Sequence, residues 1–348
     1  MPPRVLSDDD AERHPILWDR RVLSDGPVCE LGDWSGGEVS CVLPQRTTAL
    51  AARAAGAVIA ETAAELSPGS FAQCVVHLQK SRGATLCDVC DALSLLRDDG
   101  ELLVIGYNEL GIKSLVGQLE KALGTGAVVR TNRKRGRVVA FPRAACTLPE
   151  RPADTHFDVE APVPQRLTAS PGVFSPDRLD PGSALLLSHL AAQGQQGQQT
   201  PARVLDLGCG AGPLGLQACA LWPDARARLL DADIRAVRSA RDNAERLGLA
   251  ARVEVRWWDA TEPLPGGEGR GAFDLVLINP PFHTGKGVDM GPAIAMFDHA
   301  ADALAPEGVA LIVANRTLPY EPTLRGLGEL ETIEQARGFK LLRLRRPR

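Results

Sequence analysis

No uninterrupted apolar segment of the sequence approaches the roughly 18 to 20 residues that a membrane-spanning helix needs. The first residues, MPPRVLSDDDAERHP, are polar and acidic, whereas a secretory leader has a basic stretch followed by an apolar one. The sequence also lacks a marked excess of one charge, because it contains 39 Lys and Arg and 43 Asp and Glu, which gives a net charge of −4. We therefore expect a cytoplasmic protein without a membrane partner, in which nucleic-acid binding depends on local basic patches.

The cysteines give little support for a metal site. Of the eight cysteines, only Cys87 and Cys90 have the CxxC spacing of a zinc ligand pair, and no second pair accompanies them. Ordinary reduced thiols explain this pattern better, so we expect no bound metal.

The length of 348 residues exceeds what one hydrophobic core usually supports, which predicts two domains. In the carboxyl-terminal half, short apolar strands alternate with helical patterns, one of them with Asp233 placed as its N-cap. Such alternation is typical of βαβ units and a parallel sheet, and the tail predicts two further strands joined at Gly338. The five predicted parallel strands are Arg203 to Leu207, Ala227 to Leu230, Val253 to Trp257, Asp274 to Ile278 and Val309 to Val313.

The amino-terminal half repeats part of this order. LLRDDGELLVIGYN matches ALAPEGVALIVANR, and FAQCVVHLQKSRG matches FDLVLINPPFHTG, so two tandem Rossmann-like domains are predicted, with chance similarity as the alternative. The first strand of the first copy is interpreted as EVSCVL, which runs into PQRTTA without a glycine loop. We therefore expect a degenerate first domain without a cofactor site at residues 1–150, a proline-rich linker at 151–166, and a catalytic domain at 167–348.

A glycine-rich turn follows the first strand of the second half, in VLDLGCGAGPLG. Gly208, Gly210 and Gly212 permit a sharp turn whose backbone N–H groups can approach a ligand closely at a helix N-terminus. Asp206, at the strand end, argues against a dinucleotide, because a carboxylate repels a pyrophosphate. It suits a ligand that carries an ammonium and a sulfonium, and S-adenosylmethionine is such a ligand.

Two further acids end the next two strands. Asp231 can accept hydrogen bonds from both ribose hydroxyls, and Asp259, with its neighbour Ala260, is predicted to lie at the adenine. Each acid alone could be a cap or turn residue. Three acids at successive strand ends of one sheet edge favour a cofactor site.

The fourth strand ends in Asn279-Pro280-Pro281-Phe282. Asn279 follows this strand on the same sheet edge as the acids, so we expect it to face the bound cofactor as well as the substrate. If the Asn side-chain oxygen and the Pro280 carbonyl accept the two N–H bonds of an exocyclic amine, the amine lone pair can face the methyl donor. The prolines fix the backbone, and Phe282 offers a face for stacking of the target base. His283 either touches the substrate or is an ordinary hydrogen-bonded loop residue.

These motifs resemble the family of small-subunit ribosomal RNA (guanine-N2)-methyltransferases, which are class I S-adenosylmethionine-dependent enzymes. NPPFHTG, PGVFSPDRLDPGSALLL and PYEPTL all resemble stretches of that family, and its bacterial members have a degenerate amino-terminal domain with a GELLVIGYNELGIKS type of tract. The resemblance implies N2-methylation of a guanine in 16S rRNA. It also implies that Phe174 and Ser175 lie near the cofactor.

Binding of RNA needs cationic side chains for the phosphates. The candidates are Arg133, Lys134 and Arg135, at a predicted hairpin, although a charge run is commonly just a solvated face. We expect a monomer acting on 16S rRNA or the small subunit. The alternatives are a glutamine-N5 methyltransferase of release factors, a DNA adenine-N6 methyltransferase, and an RNA-binding module without enzymatic activity.

Overall fold

The structure is a computed structural model, which describes residues 27–36, 39–133, 135–195, 200–265, 271–281 and 290–346. Internal contacts divide the chain into two compact units, Met1–Ala153 and Asp154–Arg348. Each unit contains one seven-stranded sheet, and the second also contains a separate two-stranded sheet.

The sheet of the first unit has the strand order β3-β2-β1-β4-β5-β7-β6. Strands β1 to β7 are Val28–Leu31, Ser40–Val42, Val58–Ala60, Phe71–His77, Leu96–Tyr107, Val128–Arg133 and Gly136–Pro142. Helices α1 to α3 are Arg46–Ala54, Arg82–Leu95 and Ile112–Leu123. Strands β1 to β5 pair in parallel, whereas β7 is antiparallel to both β5 and β6.

The second unit begins with a hairpin of β8 (Thr155–Val159) and β9 (Gln165–Ala169). Its large sheet has the order β12-β11-β10-β13-β14-β16-β15. Strands β10 to β16 are Arg203–Leu207, Arg226–Asp231, Val253–Trp257, Phe273–Ile278, Leu304–Asn315, Glu329–Ala336 and Phe339–Arg345. Helices α4 to α8 are Pro181–Gln195, Pro213–Leu221, Ile234–Arg246, Gly291–Ala303 and Glu321–Leu327.

The two large sheets share one topology, which confirms the predicted tandem α/β architecture with an antiparallel terminal hairpin. The repeat extends to detail, because the pairing register shifts at Phe71 in the first sheet and at Phe273 in the second. A Cβ on Gly100 would lie 3.0 Å from the Ala72 carbonyl oxygen, and one on Gly308 would lie 2.6 Å from that of Phe273. Both irregularities therefore need glycine at the same place.

Local sequence explains the elements around the second sheet. Its parallel strands are rich in buried Leu, Val and Ile, as expected for a sheet covered on both faces. Asp233 is the N-cap of α6, and its side chain accepts a hydrogen bond from the Arg235 N–H, as predicted. Of the described helices, none combines the length and the apolar character required to cross a bilayer.

The proline-rich tract expected to be irregular contains β8 and the beginning of β9 instead. Pro162 and Pro164 lie in the connection between these strands, where a missing N–H breaks no pairing. Buried side chains of the neighbouring helices hold the hairpin. Gln217 in α5 and Asn243 in α6 each form hydrogen bonds with the N–H and carbonyl of one hairpin residue, Val163 and Thr168 respectively.

The first unit also differs from the sequence prediction at its start. The tract EVSCVL is not the first strand, because it contains β2, and the first strand is the four-residue β1. Pairing registers place Glu30 of β1 where the second unit has Asp206, and Gly32, with a φ of 88°, where it has Gly208. A glycine turn therefore does follow the first strand. The prediction missed it because β1 is short and includes an acidic residue.

Candidate active site

The candidate site lies at the carboxyl edge of the second sheet. Strands β10 and β13 are adjacent and parallel, and Leu207 pairs with Ile278 at their ends. The residues that follow, Gly208 and Asn279, therefore lie side by side, with the Asn279 carbonyl oxygen 3.9 Å from where a Cβ on Gly208 would stand. The fold thus brings together the two motifs that the sequence singled out.

The glycine loop has the backbone geometry that its sequence predicts. Gly208, Gly210 and Gly212 have φ values of 73°, 56° and 89°, which side-chain-bearing residues rarely adopt. A Cβ on Gly210 would meet no described residue within 4 Å, so the described part of the site leaves space above the loop. Behind it, a Cβ on Gly215 would lie 2.6 Å from the Leu229 side chain. The loop is therefore tight on its protein side and open on the other.

Asp206 is completely buried below this loop. Its Oδ2 accepts a hydrogen bond of 2.9 Å from the Gly215 N–H, whereas Oδ1 has no partner among the described residues. Burial raises the pKa of Asp206 to about 7, and the nearby Asp231 charge acts in the same direction. A buried carboxylate oxygen without a donor is costly, which indicates that a cationic ligand group belongs next to it.

Asp231 ends the neighbouring strand β11 and is tied to the same loop. Its Oδ2 accepts from the Gly210 N–H and its Oδ1 from the Asp233 N–H, both at 2.8 Å. Burial raises the pKa of Asp231 to about 6, although these N–H donors act in the opposite direction. Asp231 therefore fixes the glycine loop, which the sequence alone did not predict. The remaining lone pairs can still accept from a ligand hydroxyl.

The third acid is held by its own turn. Asp259 Oδ1 accepts hydrogen bonds from the N–H and the hydroxyl of Thr261. The carbonyl of Ala260 lies 2.9 Å from Nε2 of His299 in α7. Whether this turn contacts an adenine stays a prediction.

Asn279 is partly buried, Pro280 is buried and Pro281 is exposed. The Asn279 side chain donates from Nδ2 to Asp180 Oδ2 at 2.9 Å and to Ser183 Oγ at 3.0 Å. Sequence reasoning missed both partners. The signal was present in RLDPGS, where an Asp before a Pro is a common start of a helix. Phe282 and His283 lie outside the described residues.

Phe174 and Ser175 precede Asp180 in the segment between β9 and α4. The Phe174 side chain is 59% exposed. Ser175 has a φ of 47°, and its hydroxyl donates to the Arg178 carbonyl at 2.8 Å. Their segment reaches the site through Asp180, and their own cofactor contacts stay predictions.

The predicted RNA-binding residues lie at the turn between β6 and β7, which form the predicted hairpin. Arg135 has a largely exposed side chain whose Nη1 lies 3.5 Å from Glu109. Lys134 and the side chain of Arg133 lie outside the described part of the chain. Among the described residues, no cluster of three or more His, Cys, Asp or Glu side chains could hold a metal ion.

The first unit has a counterpart of Asp206, whose carboxylate is bonded by protein groups. Glu30, the equivalent of Asp206, is completely buried. Its oxygens accept bonds of 2.6 Å from the N–H and the hydroxyl of Ser35, and His77 Nε2 lies 3.2 Å from Oε2. Both carboxylate oxygens of Glu30 therefore have protein partners. In Asp206, by contrast, Oδ1 has no partner among the described residues.

Comparison with known proteins supports the same interpretation. A profile of the family described as "Methyltransferase small domain" matches residues 165–343. "Ribosomal RNA large subunit methyltransferase G" of Shewanella amazonensis is 34% identical over 283 residues, which cover 79% of this chain and 70% of that protein. "Ribosomal RNA small subunit methyltransferase C" of Pseudomonas paraeruginosa is 32% identical over 334 residues, which cover 94% of this chain and 92% of that protein. The chain belongs to this methyltransferase family.

A solved structure of the family matches almost the whole chain. It is the T. thermophilus 16S rRNA N2 G1207 methyltransferase in complex with AdoMet and guanosine, with a TM-score of 0.82 and 26% identity. The match covers 94% of this chain and 89% of that one. Both seven-stranded sheets therefore have the class I methyltransferase fold. The chain is a methyltransferase of the S-adenosylmethionine-dependent class.

Proposed function

We propose that this methyltransferase transfers a methyl group from S-adenosylmethionine to the exocyclic N2 amine of a guanine in 16S rRNA. The observation that carries the proposal is the position of Asn279 beside a glycine loop that covers a buried, half-unpartnered carboxylate. The small-subunit relatives and the T. thermophilus structure support the substrate, because their names state 16S rRNA or the small subunit. A ribosomal RNA substrate would place the activity in the cytoplasm.

The residues present fit S-adenosylmethionine. Its ammonium would supply the positive charge and the N–H donor that Asp206 Oδ1 lacks. The open side of Gly210 leaves room for the rest of the molecule, with Asp231 and Asp259 at the next two strand ends for the ribose and the adenine. When bound, S-adenosylmethionine supplies an electrophilic methyl group on a sulfonium.

The chain itself orients the nucleophile. The exocyclic amine of guanine is weakly nucleophilic, because its lone pair is delocalised into the ring. Asn279 Oδ1 and the Pro280 carbonyl would accept its two N–H bonds and so direct the lone pair toward the methyl group. Phe282 would stack on the base after it leaves its helix.

The large-subunit relative supports a second candidate, a guanine of the large-subunit RNA. This relative has 34% identity to the chain, close to the small-subunit relatives.

The deciding experiment supplies labelled S-adenosylmethionine to the wild type and to Asn279→Ala, together with 16S rRNA, 23S rRNA, each ribosomal subunit, release factor or DNA. We expect N2-methylguanosine in 16S rRNA from the wild type and a rate at least about 100-fold lower from the variant. The variant should still bind S-adenosylmethionine, measured by calorimetry, which shows that it is folded. Label in 23S rRNA would select the second candidate, and label in a protein glutamine would overturn both.

A further inference from the structure

Asp180 links the first helix of the second domain to the catalytic strand end. It is the residue before α4, is 8% exposed, and its carbonyl accepts from the Ala184 N–H at 2.9 Å. The side-chain Oδ2 accepts from the Ser183 N–H at 3.0 Å and from Asn279 Nδ2 at 2.9 Å. Ser183 is 5% exposed and places its own Oγ 3.0 Å from the same Nδ2.

These contacts decide which end of the Asn279 amide faces the protein. A carboxylate can only accept hydrogen bonds, so the amide must turn its NH₂ group toward Asp180. With both Nδ2 hydrogens directed at Asp180 and Ser183, no hydrogen bond from the described residues occupies the acceptor oxygen Oδ1, which can therefore serve another group. If the amide were flipped, the NH₂ group of Asn279 would face the substrate amine, and two hydrogen-bond donors would then oppose each other.

We propose that Asp180, assisted by Ser183, is a positioning residue that fixes the orientation of the Asn279 amide and so presents its acceptor oxygen to the substrate amine. This inference rests on the function proposed above. It identifies positioning residues at the start of α4, which is distant in sequence from the NPPF motif.

Helix capping alone does not explain Asp180. Ser, Thr or Asn cap helices about as well as Asp, but none of them is restricted to accepting. The neighbourhood is also fitted to this carboxylate. A Cβ on Gly182 would lie 2.9 Å from Asp180 Oδ2 and 3.1 Å from the Phe339 ring, so any larger residue there would displace the carboxylate.

The test is a double-mutant cycle between Asp180→Ala and Asn279→Ala, with kcat and the Kd for S-adenosylmethionine as readouts. Alone, Asp180→Ala should lower kcat by about 10- to 100-fold with Kd changed less than about twofold, because misorientation affects the transition state. In the Asn279→Ala background the same change should cost less than about threefold, since the group it positions is gone. Equal losses in both backgrounds would overturn the proposal.

Two milder variants keep the test valid if Asp180→Ala folds poorly. Asp180→Asn retains a cap and an acceptor but permits the flipped amide, so kcat should fall less than in Asp180→Ala. Ser183→Ala removes only one of the two acceptors and should cost about 3- to 10-fold in kcat. Full activity of both variants would contradict the inference.

The matched control is Ser81→Ala, which removes the side-chain cap of α2 in the first unit. It should lower the melting temperature slightly and leave kcat unchanged. The Asn279→Ala single variant separates the two proposals. If it is fully active, the proposed function fails, whereas an inactive Asn279→Ala beside a fully active Asp180→Ala refutes only the positioning role.

Discussion

Replacement of Asp206 by Asn tests whether the buried carboxylate destabilises the folded protein and at the same time binds a cationic ligand group. The pKa of Asp206 rises from 3.8 to about 7 through burial. The folded state therefore binds a proton more tightly than the unfolded state does, and stability falls as the pH rises from about 4 to about 7. The shift of about 3 units corresponds to a penalty of about 4 kcal/mol above that range.

Asparagine removes this penalty but introduces another. Its oxygen can still accept from the Gly215 N–H, whereas its NH₂ group takes the position of Oδ1, where the described residues offer no partner. An unsatisfied buried donor costs about 1–3 kcal/mol. We therefore expect the variant without cofactor to be more stable than the wild type by about 1–3 kcal/mol at about pH 8, or about 2–4 °C in melting temperature per kcal/mol.

The affinity for S-adenosylmethionine should fall in the same variant. Loss of a charge-assisted hydrogen bond costs about 1.5–3 kcal/mol, which raises the Kd for S-adenosylmethionine about 10- to 150-fold. Thermal melts of both proteins at several pH values, with and without cofactor, measure the two effects together. At about pH 4 the Asp206 carboxyl of the wild type is protonated and carries no burial penalty. The variant should therefore be no more stable than the wild type at that pH. A variant that is no more stable than the wild type at pH 8, or that binds cofactor equally well, would refute the reasoning.

Two further predictions concern the first unit. Glu30→Ala should lower the free energy of unfolding of this unit by about 3 kcal/mol in denaturant titrations, because its buried partners lose their acceptor. The Kd for S-adenosylmethionine should stay unchanged. A higher Kd would show that the first unit takes part in cofactor binding. Joint replacement of Arg133, Lys134 and Arg135 by Ala should reduce RNA methylation in a salt-dependent manner, measured as the rate against ionic strength. Identical rates for both proteins at all salt concentrations would remove this hairpin from the RNA interface.

Local patterns were sufficient wherever one segment determined the outcome. The alternation of apolar strands with helices predicted that β10 to β14 run parallel to one another. Gly338 predicted the turn of the terminal hairpin. Glycines at positive φ and the Pro-Pro pair are similarly local signals, since they restrict the backbone by themselves. Prediction failed for β1, which is only four residues long. It also failed for the hairpin of β8 and β9, which is held by side chains distant in sequence, Gln217 and Asn243.

The sequence by itself determined the duplicated α/β architecture and the positions of the glycine loop, the three acids and Asn279 along the chain. Only the tertiary structure decided what these residues contact. It leaves Asp206 Oδ1 without a partner in the part of the chain that the structure describes, ties Asp231 to Gly210, and turns the Asn279 amide toward Asp180. The physical reason is that hydrogen bonds between residues far apart in sequence depend on how strands and helices meet, and no local pattern encodes that meeting.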